Sequence, residues 1–139
     1  YGNRPYVVAK ISGAEAEALI PRITAAIAAY PYSTPGSYVV WPGPNSNSFV
    51  AWVVRHTDGF AVELPPVAVG KDYLGLGLGL ARAPSGTGFT LSAAGLLGLT
   101  LAWREGLELN VLGNTIGIDP GDLAVKLPSL GRLSSKSLI

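Results

Sequence analysis

Between Ile23 and Val54 the chain carries no Asp, Glu, Lys, Arg or His, and the same holds from Ala83 to Trp103. Uncharged stretches of that length invite a membrane-spanning helix, which needs about 20 mostly apolar residues. The first, however, is broken by Pro31, Pro35, Gly36, Pro42, Gly43 and Pro44, and the second by Pro84, Gly86, Gly88, Gly95 and Gly98. Each proline removes a backbone donor and fixes φ, so neither stretch is expected to cross a bilayer as a helix. What remains is surplus apolar material in a turn-rich chain. Hydrophobic residues make up 48% and charged residues 14%, the latter against about 25% in an ordinary soluble domain.

At 139 residues the chain is read as a single domain, 1–139, long enough to bury a core. Ten Lys and Arg against nine Asp and Glu leave a net charge of +1. That is too little field to gather nucleic acid, and the aromatics are not interleaved with basic residues as stacking platforms require, so no nucleic-acid partner is expected. The absence of Cys excludes disulfides, thiolate nucleophiles and cysteine-bound zinc. With Tyr1 first and no Met anywhere, the chain is expected to be either processed or a fragment, the C-terminal part of a longer protein. Residues 1–10 lack the basic and apolar blocks of a secretion signal. The compartment is therefore undetermined, membrane-associated or exported if an upstream segment provides the signal.

Along the chain, Pro5–Ile11 is a β-branched run that predicts a strand, and Ser12-Gly13-Ala14-Glu15 matches a Ser-x-x-Glu capping box. Ala16, Leu19, Ile20, Ile23, Ile27 and Tyr30 then recur at helical spacing. Pro21 predicts a kink or break in that helix, and Pro31 ends it. Ser37–Trp41 reads as a second strand before the Pro42-Gly43-Pro44 corner. A second helix is expected from near Asn45 to about His56, closed by Thr57-Asp58-Gly59, with Asn45, Ser46 or Asn47 as cap. Phe60–Val69 is extended in character, and Gly70–Tyr73 reads as a polar surface loop. Leu74–Leu80 alternates Leu and Gly, a period of two that suits a strand with another backbone close to its glycine face. Phe89–Leu91, Leu99–Trp103, Leu107–Leu112, Thr115–Ile118 and Leu123–Leu127 read as strands joined by hairpins, with Ser92–Leu99 either helix or loop. The fold class is α+β, a helical first half packed on an antiparallel, turn-rich second half.

Among candidate sites, the lone His56 sits at a helix end where a cationic ring favours the dipole. Asp58 could orient it, but too few groups converge there for catalysis. No metal is expected: Asp119-Pro120-Gly121-Asp122 is a turn signature lacking the ligand density of a calcium loop. Gly75, Gly77 and Gly79 lack the Gly-Lys-Ser/Thr of a phosphate loop. Ser85-Gly86-Thr87-Gly88 is likewise a turn without a lysine. No cofactor is implied.

The remaining constellation runs from Trp41 to Phe49, where Asn45, Ser46, Asn47 and Ser48 crowd into an otherwise apolar stretch. Either these side chains cap a buried helix, satisfying its free amides, or they use the positive end of that helix to stabilise an oxyanion. In the second case Ser46 is the catalytic candidate and Trp41, Asn45 and Asn47 the binding candidates.

The segments Gly2–Pro5, Gly13–Ile23, Trp41–Phe49, Leu64-Pro65-Pro66, Gly70–Tyr73 and Gly95–Thr100 together resemble the bacterial "domain of unknown function 3750" family over nearly the whole chain. Gly43-Pro44-Asn45-Ser46-Asn47-Ser48-Phe49 is the most specific element. More distantly, Asn45-Ser46-Asn47-Ser48-Phe49 resembles the Asn-Cys-x-x-Phe helix start of permuted papain-like hydrolases of the NlpC type. That resemblance implies a permuted papain-like fold with Ser46 where the nucleophilic Cys stands and a His upstream of it. No His precedes Ser46 in this chain. His56 lies ten residues down the same helix, about 15 Å away at 1.5 Å per residue. The resemblance therefore implies a base from an upstream segment or a second protein chain.

Two functions follow as expectations: a hydrolase-related core centred on Ser46, with the amides near Asn47 as oxyanion donors, or a non-catalytic binding or assembly module. The second rests on low charge and excess apolar surface, which mark partner or membrane contacts and homo-oligomers.

Overall fold

The structure, a computed structural model, describes residues 6–128 and 130–134. Gly13 sets where the first helix begins. Its φ of +66° and ψ of −148° suit glycine alone, and with Gly13 as N-cap no side chain caps helix α1, Ala14–Ala28. The Ser12 capping box predicted from sequence is thus not formed, since Ser12 stands one residue outside the cap. Pro21 lies within α1 without interrupting it. The ring is exposed, so the carbonyl it leaves unpaired faces water while the helix is held through buried Leu19 and Ala26. Residues 6–11 form no strand, for no other strand lies alongside them; Pro5 lies outside the described residues.

Ser37–Trp41 is also irregular, because the chain doubles back at the prolines and the Val39 amide donates to the Pro44 carbonyl at 2.8 Å. The second helix, α2, spans Ser46–Arg55, with Asn45 as N-cap and His56 as C-cap. It packs antiparallel to α1. Trp52 Nε1 donates to the Ala26 carbonyl at 3.3 Å, Tyr30 meets Phe49 edge-on at 4.9 Å, and Arg22 reaches the Asp58 carbonyl. Beneath α2 a small apolar core gathers Ala51, Val54, Val62 and Leu64 with Phe60 beside it. Residues 60–77 form no strand. Val62 makes one amide bond to the Pro84 carbonyl, and Pro65 and Pro66 have no amide to offer a ladder.

The second half is a seven-stranded antiparallel meander in sequential order. Its strands are β1 Leu78–Arg82, β2 Gly88–Ala93, β3 Leu97–Ala102, β4 Gly106–Val111, β5 Asn114–Asp119, β6 Ala124–Leu127 and β7 Gly131–Ser134. Ser92–Leu99, open between helix and loop in the sequence, is a hairpin joining β2 to β3. The architecture is α+β as expected. Its unexpected feature is which face of the sheet is buried.

Candidate functional site

Alternation along β4 buries Gly106, Glu108 and Asn110 and exposes Leu107, Leu109 and Val111. The same inversion runs through β2, β3 and β5, whose buried residues include Thr90, Ser92, Thr100 and Thr115 while Leu, Ile and Phe point outward. An ordinary half-buried sheet packs its apolar face on the core and wets its polar one.

Register makes the outer face continuous. Leu80 stands opposite Leu91, Leu91 opposite Leu99, Leu99 opposite Leu109, and Leu109 opposite Ile116. The next row runs Phe89, Leu101, Leu107, Ile118, Val125, Leu133. Residues at this spacing touch across strands, and Leu101 is 66% exposed.

The inner face holds the first half of the chain through ions. Thr90, Thr100, Glu108, Gly117, Lys126 and Arg132 form one cross-strand row. At Gly117 a Cβ would lie 2.6 Å from the Leu107 carbonyl oxygen and 3.2 Å from Glu108 Cγ. Its missing side chain lets Lys126 Nζ reach across to Glu108 Oε1 at 2.7 Å. Lys126 also bonds Glu63 at 2.7 Å and the Glu105 carbonyl at 2.8 Å, and Glu108 Oε2 pairs with Lys71 at 2.8 Å. Glu105 accepts from the amide and the hydroxyl of Ser85. Gly70–Tyr73, expected as a surface loop, is instead buried against this face, where Lys71 gains Glu108 as a partner in place of solvent and Asp72 lies over Gly98.

Burial governs the protonation of this network. It pulls the Lys71 ammonium below its ordinary value, Glu108 offsetting this only in part. It pulls Lys126 down as well, but Glu108 and Glu63 together raise that group above the ordinary value. Burial raises the Asp72 carboxyl against the pull of Lys71 and Arg55, and Asp72 Oδ2 has no hydrogen-bond partner. Burial also lowers Arg55 to about 10.

Of the residues singled out in sequence, Asn45 is 6% exposed. Its Oδ1 accepts the Asn47 and Ser48 amides at 3.0 Å each, and its Nδ2 donates to the Val40 and Val69 carbonyls. Ser48 Oγ accepts the Asn45 amide at 2.7 Å, completing a reciprocal cap. Asn47 Nδ2 donates to the Val69 carbonyl at 2.9 Å. Trp41 Nε1 donates to the Leu112 carbonyl at 3.1 Å, tying the corner to the β4–β5 turn. Asn45, Asn47 and Trp41 thus gather at one junction with their polar atoms engaged by the protein. Ser46 is exposed, makes no side-chain hydrogen bond among the described residues, and borders a hollow of about 220 Å³ walled by Tyr30, Tyr32, Tyr38, Pro44 and Phe49. His56 stacks on Trp52 with ring centroids 3.6 Å apart, and its Nδ1 lies 2.9 Å from the Trp52 carbonyl. It lines a cleft of about 200 Å³ with Tyr73 and Arg55, which shares Tyr30 and Tyr32 with the hollow beside Ser46. Among the described residues no three His, Asp or Glu side chains group as metal ligands, and no helix is long and apolar enough to cross a membrane.

The family model described as "Protein of unknown function (DUF3750)" matches residues 1–73. The chain belongs to this family. The match takes in both helices, the polar string and Lys71-Asp72-Tyr73, and ends before β1. The Gly95–Thr100 segment of the wider resemblance therefore lies beyond it. No curated protein and no solved structure matches the chain.

Sequence reasoning missed Glu108 and Lys126, since a polar residue on an alternating strand is ordinarily assigned to solvent, and Lys71, Asp72 and Glu105, since charged residues in turn-like segments are read as surface loop. The available signal was glycine. Gly98 and Gly117 share the inner face with these groups, and a Cβ on Gly98 would lie 2.3 Å from Asp72 Oδ2.

Proposed function

We propose that this protein is a non-catalytic binding or assembly module whose working surface is the outer face of the seven-stranded sheet. The single observation carrying this reading is the unbroken apolar ladder from Leu80 through Leu91, Leu99 and Leu109 to Ile116, all exposed except for their contacts with one another. Seven strands of four to six residues, spaced about 4.8 Å apart and about 17 Å long on average, present roughly 570 Å². The largest apolar patch on a typical monomer is about 300–600 Å², and patches of that size are often functional. On the inner face Glu108 and Lys126 are paired with Lys71 and Glu63 of the first half.

Detergent capture tests the reading. Light scattering coupled to size exclusion in a nonionic detergent should find micelle mass bound to the protein. The triple variant Leu99→Gln, Leu101→Gln, Leu109→Gln should lose that mass at an unchanged melting temperature. Wild-type protein that elutes as a bare monomer in detergent overturns it.

The exposure of Ser46 beside the tyrosine-walled hollow supports a second reading, a papain-like hydrolase relative that completes its dyad with a His from an upstream segment or second chain. A serine-directed phosphonate should then label full-length protein and fail to label Ser46→Ala. Folded full-length protein that takes no label excludes it.

A further inference from the structure

Charge is segregated along the length of the molecule. At one end of the sheet lie the turns 83–87, 103–105 and 120–123; at the other lie 94–96, 112–113, Pro128, Leu130 and the entry segment 74–77. The second set contains no charged residue, only Gly, Ala, Pro and Leu. Leu76 there is 90% exposed, and Leu96, Leu112 and Leu130 are exposed at successive turns along the same end.

The helices follow the same polarity. Arg55, at the end of α2, donates to the Arg82 carbonyl at the charged end, whereas Asn45 and Trp41, before α2, contact Val69 and the β4–β5 turn at the uncharged end. The middle of the uncharged stretch thereby falls toward the leucine turns, with Tyr32 beside Gly75 and Trp41 beside Gly113, while its ends at Ile23 and Val54 adjoin Arg22 and Arg55. The exposed charges Lys10, Glu15, Glu17, Arg22, Asp58, Arg82 and Arg104 belong to the approach to α1, α1 as far as its middle, the region after α2 and the opposite turns. Trp103, 86% exposed, stands there next to Arg104.

We propose that the outer sheet face and its leucine turns dock into one leaflet of a lipid bilayer, with the turns deepest and Trp103, Arg82 and Arg104 at headgroup level. This rests on the docking-surface reading above and names its partner. Strands of four to six residues are about 13–20 Å long, too short for a hydrocarbon core of about 30 Å but matched to half of it. Tryptophan and arginine at the shallow end suit the interface. Face-to-face packing with a second copy would cover the ladder yet leave Leu76, Leu112 and Leu130 in water, whereas a leaflet covers both. With a net charge of +1, attachment needs no anionic lipid.

Flotation with pure phosphatidylcholine vesicles tests this. The full-length protein should rise with the vesicles and remain there in about 0.5 M NaCl, since apolar insertion is not screened. The triple variant L76D/L96D/L112D should partition about tenfold or more weakly, with an unchanged circular dichroism spectrum. In the wild type, acyl-chain-brominated lipid should quench tryptophan fluorescence, and W41F should lose more of that quenching than W103F. Protein that stays unfloated but sediments as a dimer dissociated by L99Q/L101Q overturns the leaflet while sparing the docking surface. Protein that neither floats, associates nor binds detergent overturns both.

Discussion

Glu108 Oε1 lies 2.7 Å from Lys126 Nζ in a site where neither side chain exceeds 1% exposure. Because Glu108 Oε2 also holds Lys71 at 2.8 Å, one carboxylate serves two buried ammonium groups. Glu108→Gln should therefore cost about 3–5 kcal/mol, the penalty for leaving a buried charge uncompensated. Lys126→Met should cost less, as Glu108 keeps Lys71. Urea denaturation of the two variants gives the order, and a Glu108→Gln midpoint equal to wild type would deny the ion network its role in joining the two halves.

Asp72 gives stability a defined pH slope. Burial raises its carboxyl above the ordinary 3.8, so the folded protein holds a proton that the unfolded chain has released. That contribution is fully present below the ordinary value and is lost as pH rises through the folded one. Relative to wild type, Asp72→Asn should gain stability from about pH 4 up to the folded carboxyl's raised value and level off above it, read from denaturation midpoints across a pH series. A constant difference between the two proteins would remove Asp72 as the source.

At the amino end of α2, neighbouring residues should respond oppositely. Asn45→Ala removes the cap and two donors to carbonyls, and should cost about 2 kcal/mol or more. Ser46→Ala, at an exposed position without side-chain bonds, should stay within about 0.5 kcal/mol. Thermal melts distinguish them, and equal losses would mean that Ser46 is a structural hydroxyl.

The inverted sheet makes a similar paired forecast. Leu101→Gln on the outer face should leave the unfolding free energy within about 0.5 kcal/mol. Gly98→Ala on the inner face, whose Cβ would lie 2.3 Å from Asp72 Oδ2, should cost about 2 kcal/mol or more. Denaturant midpoints decide, and the reverse ranking would contradict the orientation of the sheet.

Much of this was legible before any coordinates. The period-two runs gave strands from Leu78 onward, though Leu74–Gly77 is irregular, and Asn45 before Phe49, Val50 and Val53 gave a capped helix, because those signals are local. Ser12 failed as a cap because Gly13 adopts a conformation of its own, and Ser37–Trp41 failed as a strand because no partner came alongside. Ser46, Asn45, Asn47 and Trp41 were found as a polar cluster, but the sequence could not separate the exposed hydroxyl from the three side chains tied to Val69 and Leu112.

By itself the sequence determined an α+β chain with little charge, two helices, a run of hairpins, and alternation that sorts each strand into an apolar and a polar side. Alternation is a property of one strand and says nothing about which side meets the rest of the molecule. Only the tertiary structure decided that. Lys71 and Glu63, far from β4 and β6 in sequence, had to arrive opposite Glu108 and Lys126 before the polar side could be buried. The Coulomb attraction that binds these halves depends on separation in space, which residue order does not encode locally.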